Sequence, residues 1–342
     1  MSLETATTAD EIPAQAAQDA QRLRSSFNLL RDEIHKVFVG QTELVDLVLE
    51  TLVANGHVLI EGVPGLGKTL LVRSLSAALD LPFSRIQFTP DLMPADITGT
   101  NVLAEKEGGG HELRFEPGPI LASVILADEI NRATPKTQSA LLEAMQERQV
   151  STSGRTIPLP DPFIVLATQN PIEQEGTYPL PEAQLDRFMV KLLVRYPSEQ
   201  EYHRILQQTT SIEQPQARRV CGGEEVLALR RIALQVPVSQ QIRTYAIRLT
   251  MATHPDTPSA PAEIKRTVAL GASPRAAQAM LLLGKVRALL TGRFAVACRD
   301  VREVALPVLR HRLVLNFSGQ AERISPDELV KLAVASVPEL TE

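Results

Sequence analysis

The sequence predicts a parallel α/β domain followed by a helical one, and three observations carry that prediction. Glu61-Gly62-Val63-Pro64-Gly65-Leu66-Gly67-Lys68-Thr69 contains GxxxxGK[ST], set between an apolar run and a helical pattern. Strand-like runs alternate with helical periodicity through the first ~195 residues, which is the pattern of parallel strands joined by crossover helices. From residue 197 onward the strand-like runs stop and only helical patterns follow.

Taken in order, residues 1–22 are rich in Ala, Thr and acidic residues and read as a disordered lead. They lack the basic and apolar regions of a secretory signal. The α/β core is placed at 23–196 and the helical domain at 197–342. Strands are expected at 57–61, 83–88, 123–128, 163–169 and 188–194, each an apolar run. Helices are expected at 41–54, 68–80, 134–147 and 181–186. Leu71, Val72, Leu75, Ala78 and Leu79 give the second its helical spacing, and Thr134-Pro135 supplies a capping hydroxyl with proline at the first position of the third. Two stretches, 98–118 and 149–159, read as hairpins inserted between core elements. Asn101-Val102-Leu103 faces Leu113-Arg114-Phe115 across glycines in the first, and Ser153-Gly154 turns the second. As isolated features they could equally be decorative loops. Helices at 199–208, 224–235, 238–253, 274–291 and 300–313 complete the chain, with loops at 209–223 and 254–262.

The glycines at 62, 65 and 67 let the backbone curl so that its N–H groups point inward, and the helix beginning near Lys68 adds its positive dipole end. Such a loop binds phosphate. Contacts are expected from Gly62, Val63, Pro64, Gly65, Leu66, Gly67, Lys68, Thr69 and Leu70. Lys68 would reach the β- and γ-phosphates of ATP, and the Thr69 hydroxyl would bind Mg²⁺. Val124-Ile125-Leu126-Ala127-Asp128-Glu129 is a buried strand whose carboxylates emerge at its C-terminal end, where ligands bind in open α/β sheets. Asp128 would orient the metal and Glu129 would act as general base. A third apolar strand ends in Thr168-Gln169-Asn170-Pro171, which places Asn170 to hydrogen-bond the attacking water or the γ-phosphate. Arg187 lies at a helix end before the last strand. Taken alone, it is a cation at a helix C-terminus.

Together, Gly62–Thr69, Val124–Asn131, Ala167–Pro171 and Leu185–Phe188 resemble the AAA+ ATPases, and among them the MoxR group of the helix-two-insert clade. The resemblance spans residues 30–315, with support from 39–41, 87–99, 117–120 and 271–276. It implies an AAA+ core with a helical lid. Asn170 matches the family's first sensor. Arg187 matches an arginine finger acting on a neighbouring subunit, Arg275 a second sensor carried by the lid, and Val39 and Gly40 the backbone flanking the adenine. Gln87 is placed to hold Glu129 away from water. The hairpins match insertions that face the pore or the substrate side. The resemblance also implies a homo-oligomer, a hexameric ring, with a chaperone-like role in protein-complex maturation or cofactor insertion. A von Willebrand factor A domain protein is the expected partner.

Composition narrows the alternatives. The net charge of −5 lacks the basic footprint of a protein that coats nucleic acid. The first hairpin carries Glu105, Glu107, Glu112 and Glu116 against Lys106 and Arg114, an arrangement that repels phosphates. A nucleic-acid motor related to helicases is therefore the weaker alternative, beside a nucleotide-gated scaffold with slow turnover. Cys221 and Cys298 and the six histidines show no metal-ligand spacing. No transmembrane span is expected, and a cytoplasmic location is. The run Arg310-His311-Arg312 reads as a charged face of a lid helix, with contact to nucleotide or core as the alternative.

Overall fold

The computed structural model describes residues 14–105, 111–152, 155–171 and 176–339. Helix α1 (Ala14–His35) leads through α2 (Thr42–Val53) into β1 (Val58–Glu61) and α3 (Lys68–Leu79). Next come β2 (Phe83–Gln87), the short α4 (Pro94–Thr98), β3 (Gly99–Glu105), β4 (His111–Pro117) and β5 (Val124–Asp128). Helix α5 (Pro135–Glu147), β6 (Gln149–Thr152), β7 (Arg155–Pro158), β8 (Ile164–Gln169), α6 (Glu182–Leu185) and β9 (Val190–Leu193) finish the core.

The five core strands form one sheet in the order β2-β5-β8-β1-β9, every neighbouring pair parallel. All five lie where the apolar runs predicted them. Val124 to Ala127 and Ile164 to Ala167 are almost wholly buried, because helices cover both faces of a parallel sheet. Both inserted hairpins are present. In β3–β4, Val102 pairs with Arg114 and Leu103 with Leu113; in β6–β7, Val150 pairs with Ile157. The turn expected at Ser153-Gly154 and part of the first hairpin's tip lie outside the described residues.

The second domain holds α7 (Glu199–Thr209), α8 (Gly223–Gln235), α9 (Gln240–Met251), α10 (Ala262–Thr267), β10 (Val268–Leu270), α11 (Pro274–Leu290), α12 (Cys298–Leu309), β11 (Val314–Leu315), α13 (Phe317–Ala321) and α14 (Pro326–Ser336). Here the expectation of an all-helical domain needs correction. Val268 pairs with Leu315 and Leu270 with Val314 in a small antiparallel ladder. Pieces this short carry no readable alternation.

Two further expectations change. Helix α1 begins at Ala14, so it runs through the second half of the lead expected to be disordered; residues 1–13 lie outside the described residues. It is held by burial of Ala20, Leu23, Phe27, Leu30 and Ile34 at helical spacing, and Arg22 pairs with Glu225 of α8. Thr134 does stand at the N-cap of α5 with Pro135 behind it, but its hydroxyl meets the Thr137 hydroxyl at 3.3 Å and caps no backbone N–H. For the run Arg310–Arg312 the structure favours the alternative of contact with the core over a charged outer face. His311 and Arg312 are 8% and 7% exposed and join the two domains.

Candidate active site

The phosphate-binding segment leaves the C-terminal end of β1. Gly67 sits at φ +78°, a left-handed conformation that a side chain resists, and an added Cβ would stand 3.2 Å from the Phe38 ring. That contact brings the Phe38 ring against the loop; Val39 and Gly40 follow it in the chain, and Gly40 lies against the Glu201 side chain of α7. Helix α3 opens at Lys68, so its free N–H groups face the curl of the loop. The Lys68 ammonium donates to the carbonyl oxygen of Gly62 at 2.6 Å. Partial burial lowers its pKa, opposed by the carboxylates of Asp128 and then Glu129.

Those carboxylates stand at the end of β5, two strands from β1 with β8 between. Asp128 is held on both oxygens. Thr168 of β8 donates its hydroxyl to Oδ1 at 2.6 Å, while Arg85 of β2 donates Nε at 3.1 Å and Nη2 at 2.7 Å to Oδ2. Glu129 takes a left-handed φ of +56°, and its N–H donates to Thr168 Oγ1 at 2.8 Å. Its Oε2 accepts from Gln87 Nε2 at 3.0 Å and from Arg132 at 2.9 Å. Asn170 follows β8 directly and is 5% exposed. Its strand neighbours the loop, since Gly62 N–H donates to Gln169 O. The sequence-predicted residues 62–70, Asp128, Glu129 and Asn170 are thus brought to one edge of the sheet. Thr168 and Arg85 were missed by sequence reasoning. The polar end of β8 was a signal for the first, and β2 offered none for the second.

Two hard oxygen donors belong to this end of the sheet: Thr69, in the first turn of α3, and the Asp128 carboxylate, which sits within electrostatic reach of Lys68. Hydroxyl, carboxylate and phosphate oxygens suit Mg²⁺. Among the described residues no cluster of three or more His, Cys, Asp or Glu exists to offer another cation site.

Arg187 and Arg275 stand elsewhere. Strands β1 and β9 run parallel in register from Val58–Val190 to Glu61–Leu193, and Met189 N–H donates to His57 O. Arg187 therefore lies at the N-terminal edge of the sheet, roughly 13 Å of strand away from the phosphate loop. Arg275, in the first turn of α11, reaches the same edge. Its guanidinium and the Ser273 hydroxyl both donate to Asp186 Oδ2, at 3.4 and 2.8 Å. Arg312 donates Nε to Asp186 Oδ1 at 2.8 Å and Nη2 to Phe188 O at 2.7 Å. Arg148, Arg187, Arg275 and Arg312 line one open cavity of about 270 Å³. The Arg187 guanidinium has no polar partner among the described residues, and the Arg275 side chain is 47% exposed.

Comparison with known proteins shows the family. Residues 57–190 match the family model "ATPase family associated with various cellular activities (AAA)", and residues 261–332 match the AAA lid domain. Chaperone MoxR1 of Mycobacterium tuberculosis is 46% identical over 89% of this chain and 80% of its own length. Protein MoxR of Paracoccus denitrificans is 32% identical over 89% and 94%. A crystal structure of a candidate ATPase from Cytophaga hutchinsonii superposes with a TM-score of 0.89 at 38% identity, covering 96% of this chain and 98% of that one. With the phosphate loop, the acidic strand end and the lid all in place, the chain belongs to the MoxR family of AAA+ ATPases, chaperone-like enzymes that hydrolyse ATP.

Proposed function

We propose that this protein works as a closed ring, six copies by family likeness, in which each ATP is bound by one copy and completed by the next. One edge supplies Lys68, Thr69, Asp128, Glu129 and Asn170, with Val39 and Gly40 beside the adenine. The following copy supplies Arg187 and Arg275. The observation that carries this reading is the opposite placement of the two groups. An arginine side chain cannot cross the length of the sheet to its own phosphate loop, whereas stacking copies head to tail sets one edge against the other.

Phosphoryl transfer to water builds negative charge on the γ-phosphoryl oxygens. Lys68 and the loop amides cover part of it, and Arg187 with Arg275 would cover the rest. Glu129 would take the proton from the attacking water, and Asn170 would orient that water. Magnesium held by Thr69 and Asp128 would supply further charge neutralisation at the phosphates.

The work performed is remodelling of a protein client, in complex maturation or cofactor insertion, in the cytoplasm, with a von Willebrand factor A domain protein as partner. The β3–β4 hairpin supports a protein client over nucleic acid. Leu103 and Leu113 face each other across it at 65% and 72% exposure, and Glu112 and Glu116 on the same hairpin are exposed acids. An apolar pair among acids suits a polypeptide and repels phosphates.

Mixing two inactive variants tests the shared site. Lys68→Ala loses the pocket and keeps the arginine edge; Arg187→Ala does the reverse. Each alone should be inactive. Randomly mixed rings should recover about a quarter of wild-type turnover, because one interface in four joins an intact pocket to an intact arginine edge. Absence of recovery, with both variants folded and assembled, would sink the shared site.

A further inference from the structure

The contacts around Asp128 extend from β5 to the neighbouring edge strand β2. Strand β2 is an edge strand, paired with β5 so that Gln87 lies opposite Asp128 and Arg85 opposite Leu126. Residues two apart on a strand share a face, so Arg85 and Gln87 stand together at the ligand-facing end of the sheet. Arg85 grips Asp128 Oδ2 with two nitrogens, at 3.1 and 2.7 Å, and the same Nη2 donates to Gln87 Oε1 at 2.6 Å. This contact fixes the orientation of the Gln87 amide, with its carbonyl toward Arg85 and its NH₂ toward Glu129 Oε2 at 3.0 Å. One chain of polar contacts therefore runs from Asp128 through Arg85 and Gln87 to Glu129.

We propose that Arg85 competes with a divalent cation for Asp128 and, through Gln87, passes the outcome of that competition to Glu129. The proposal rests on reading Asp128 as the metal-orienting carboxylate and Glu129 as the base. Thr168 holds Oδ1 from within the sheet, and the two Arg85 nitrogens take both lone-pair sites of Oδ2, so a cation drawn to Oδ2 has to displace the guanidinium. Two positive centres on one carboxylate oxygen repel each other, and the divalent one binds with the greater charge. Of the two protein partners, Arg85 is the one able to leave. Its side chain is 48% exposed, against 12% for Asp128 and complete burial for Thr168. Its departure takes the cationic donor from Gln87 Oε1. The Gln87 amide is then no longer fixed, and Glu129 loses one of the two donors that hold its Oε2. The base is thereby readied only where metal has arrived.

The test uses the full-length protein, a fluorescent non-hydrolysable ATP analogue and a Mg²⁺ titration starting from EDTA. Binding in EDTA should be the same in wild type and Arg85→Ala. The Mg²⁺ concentration giving half-maximal binding should fall about two- to fivefold in Arg85→Ala, the weight of a half-exposed ion pair. Gln87→Ala, which leaves the Arg85–Asp128 grip intact, should keep the wild-type midpoint. If Arg85→Ala folds poorly, Arg85→Lys, which keeps the charge and loses the two-nitrogen grip, should show a smaller shift in the same direction. An unchanged or raised midpoint in the folded variant overturns the competition. Lys68→Ala run alongside separates this from failure of the site itself. If Lys68→Ala abolishes binding while Arg85→Ala leaves the midpoint unmoved, only the competition fails. Wild-type binding by Lys68→Ala would remove the phosphate-loop reading and this proposal with it.

Discussion

Thr168 ties the two acidic residues of the site to the sheet. Its hydroxyl donates to Asp128 Oδ1 and accepts from the Glu129 N–H, and its side chain is fully buried. Thr168→Val keeps the shape and removes both bonds. A buried carboxylate oxygen and a backbone N–H are then left short of partners, which costs about 1–3 kcal/mol of stability. Denaturant unfolding should show that loss, and turnover should fall more than nucleotide affinity, since the orientation of Glu129 is what changes. Equal losses in both would point to general unfolding of the site. The sequence made Asp128 and Glu129 legible because carboxylates at the end of an apolar strand are rare unless used. Thr168 was hidden for the opposite reason: threonine is at home in a strand, and only the cross-strand register reveals which oxygen it meets. Arg85 was hidden too, because its partner lies 43 residues away on the neighbouring strand.

At the scale of elements, α11 and α12 are pinned to the start of β9 through one carboxylate. Asp186 accepts from Ser273, Arg275 and Arg312, and Arg312 also donates to main-chain oxygens of Phe188, Met189 and Val308. Burial lowers the pKa of Arg312, while Asp186 counteracts the shift. Asp186→Ala would strand a buried guanidinium and should cost about 3–5 kcal/mol in denaturant unfolding. Adding Arg312→Met should recover a large part of that loss, whereas strictly additive losses would argue against the pairing. The five core strands and most helices were readable because apolar periodicity is a local property. The joint between domains was not. Two arginines flanking a histidine look solvated until the acceptors that bury them, contributed from a distant part of the chain, are in place. The short ladder of β10 and β11 was unreadable for a related reason, since two or three residues cannot display a period.

For the molecule as a whole, α1 and the buried histidines set the conditions of stability. Helix α1 packs on α2 and α3 of the core and on α8 and α11 of the second domain, so it fastens the two halves together. His57, fully buried beneath Phe163, accepts the Val165 N–H at Nδ1, 3.1 Å away, and must be neutral to do so. Burial pushes its pKa down to about 3, and burial likewise lowers that of His311. The unfolded chain titrates near 6.5, so between these values it binds more protons than the folded one, and stability falls as pH is lowered. Unfolding measured from pH 7 down to 5.5 should show a slope approaching about 1.4 kcal/mol per pH unit for each such histidine. His57→Asn, which can accept the same N–H without titrating, should remove one share; an unaltered slope would refute the assignment. The placement of Arg187 and Lys68 at opposite rims also gives each copy a front and a back. If the pocket is shared as proposed, a pair related by a twofold axis would join front to front or back to back and complete neither pocket. In an open row of copies the last pocket would lack its arginines and the first arginines a pocket, and only a circle would leave nothing idle.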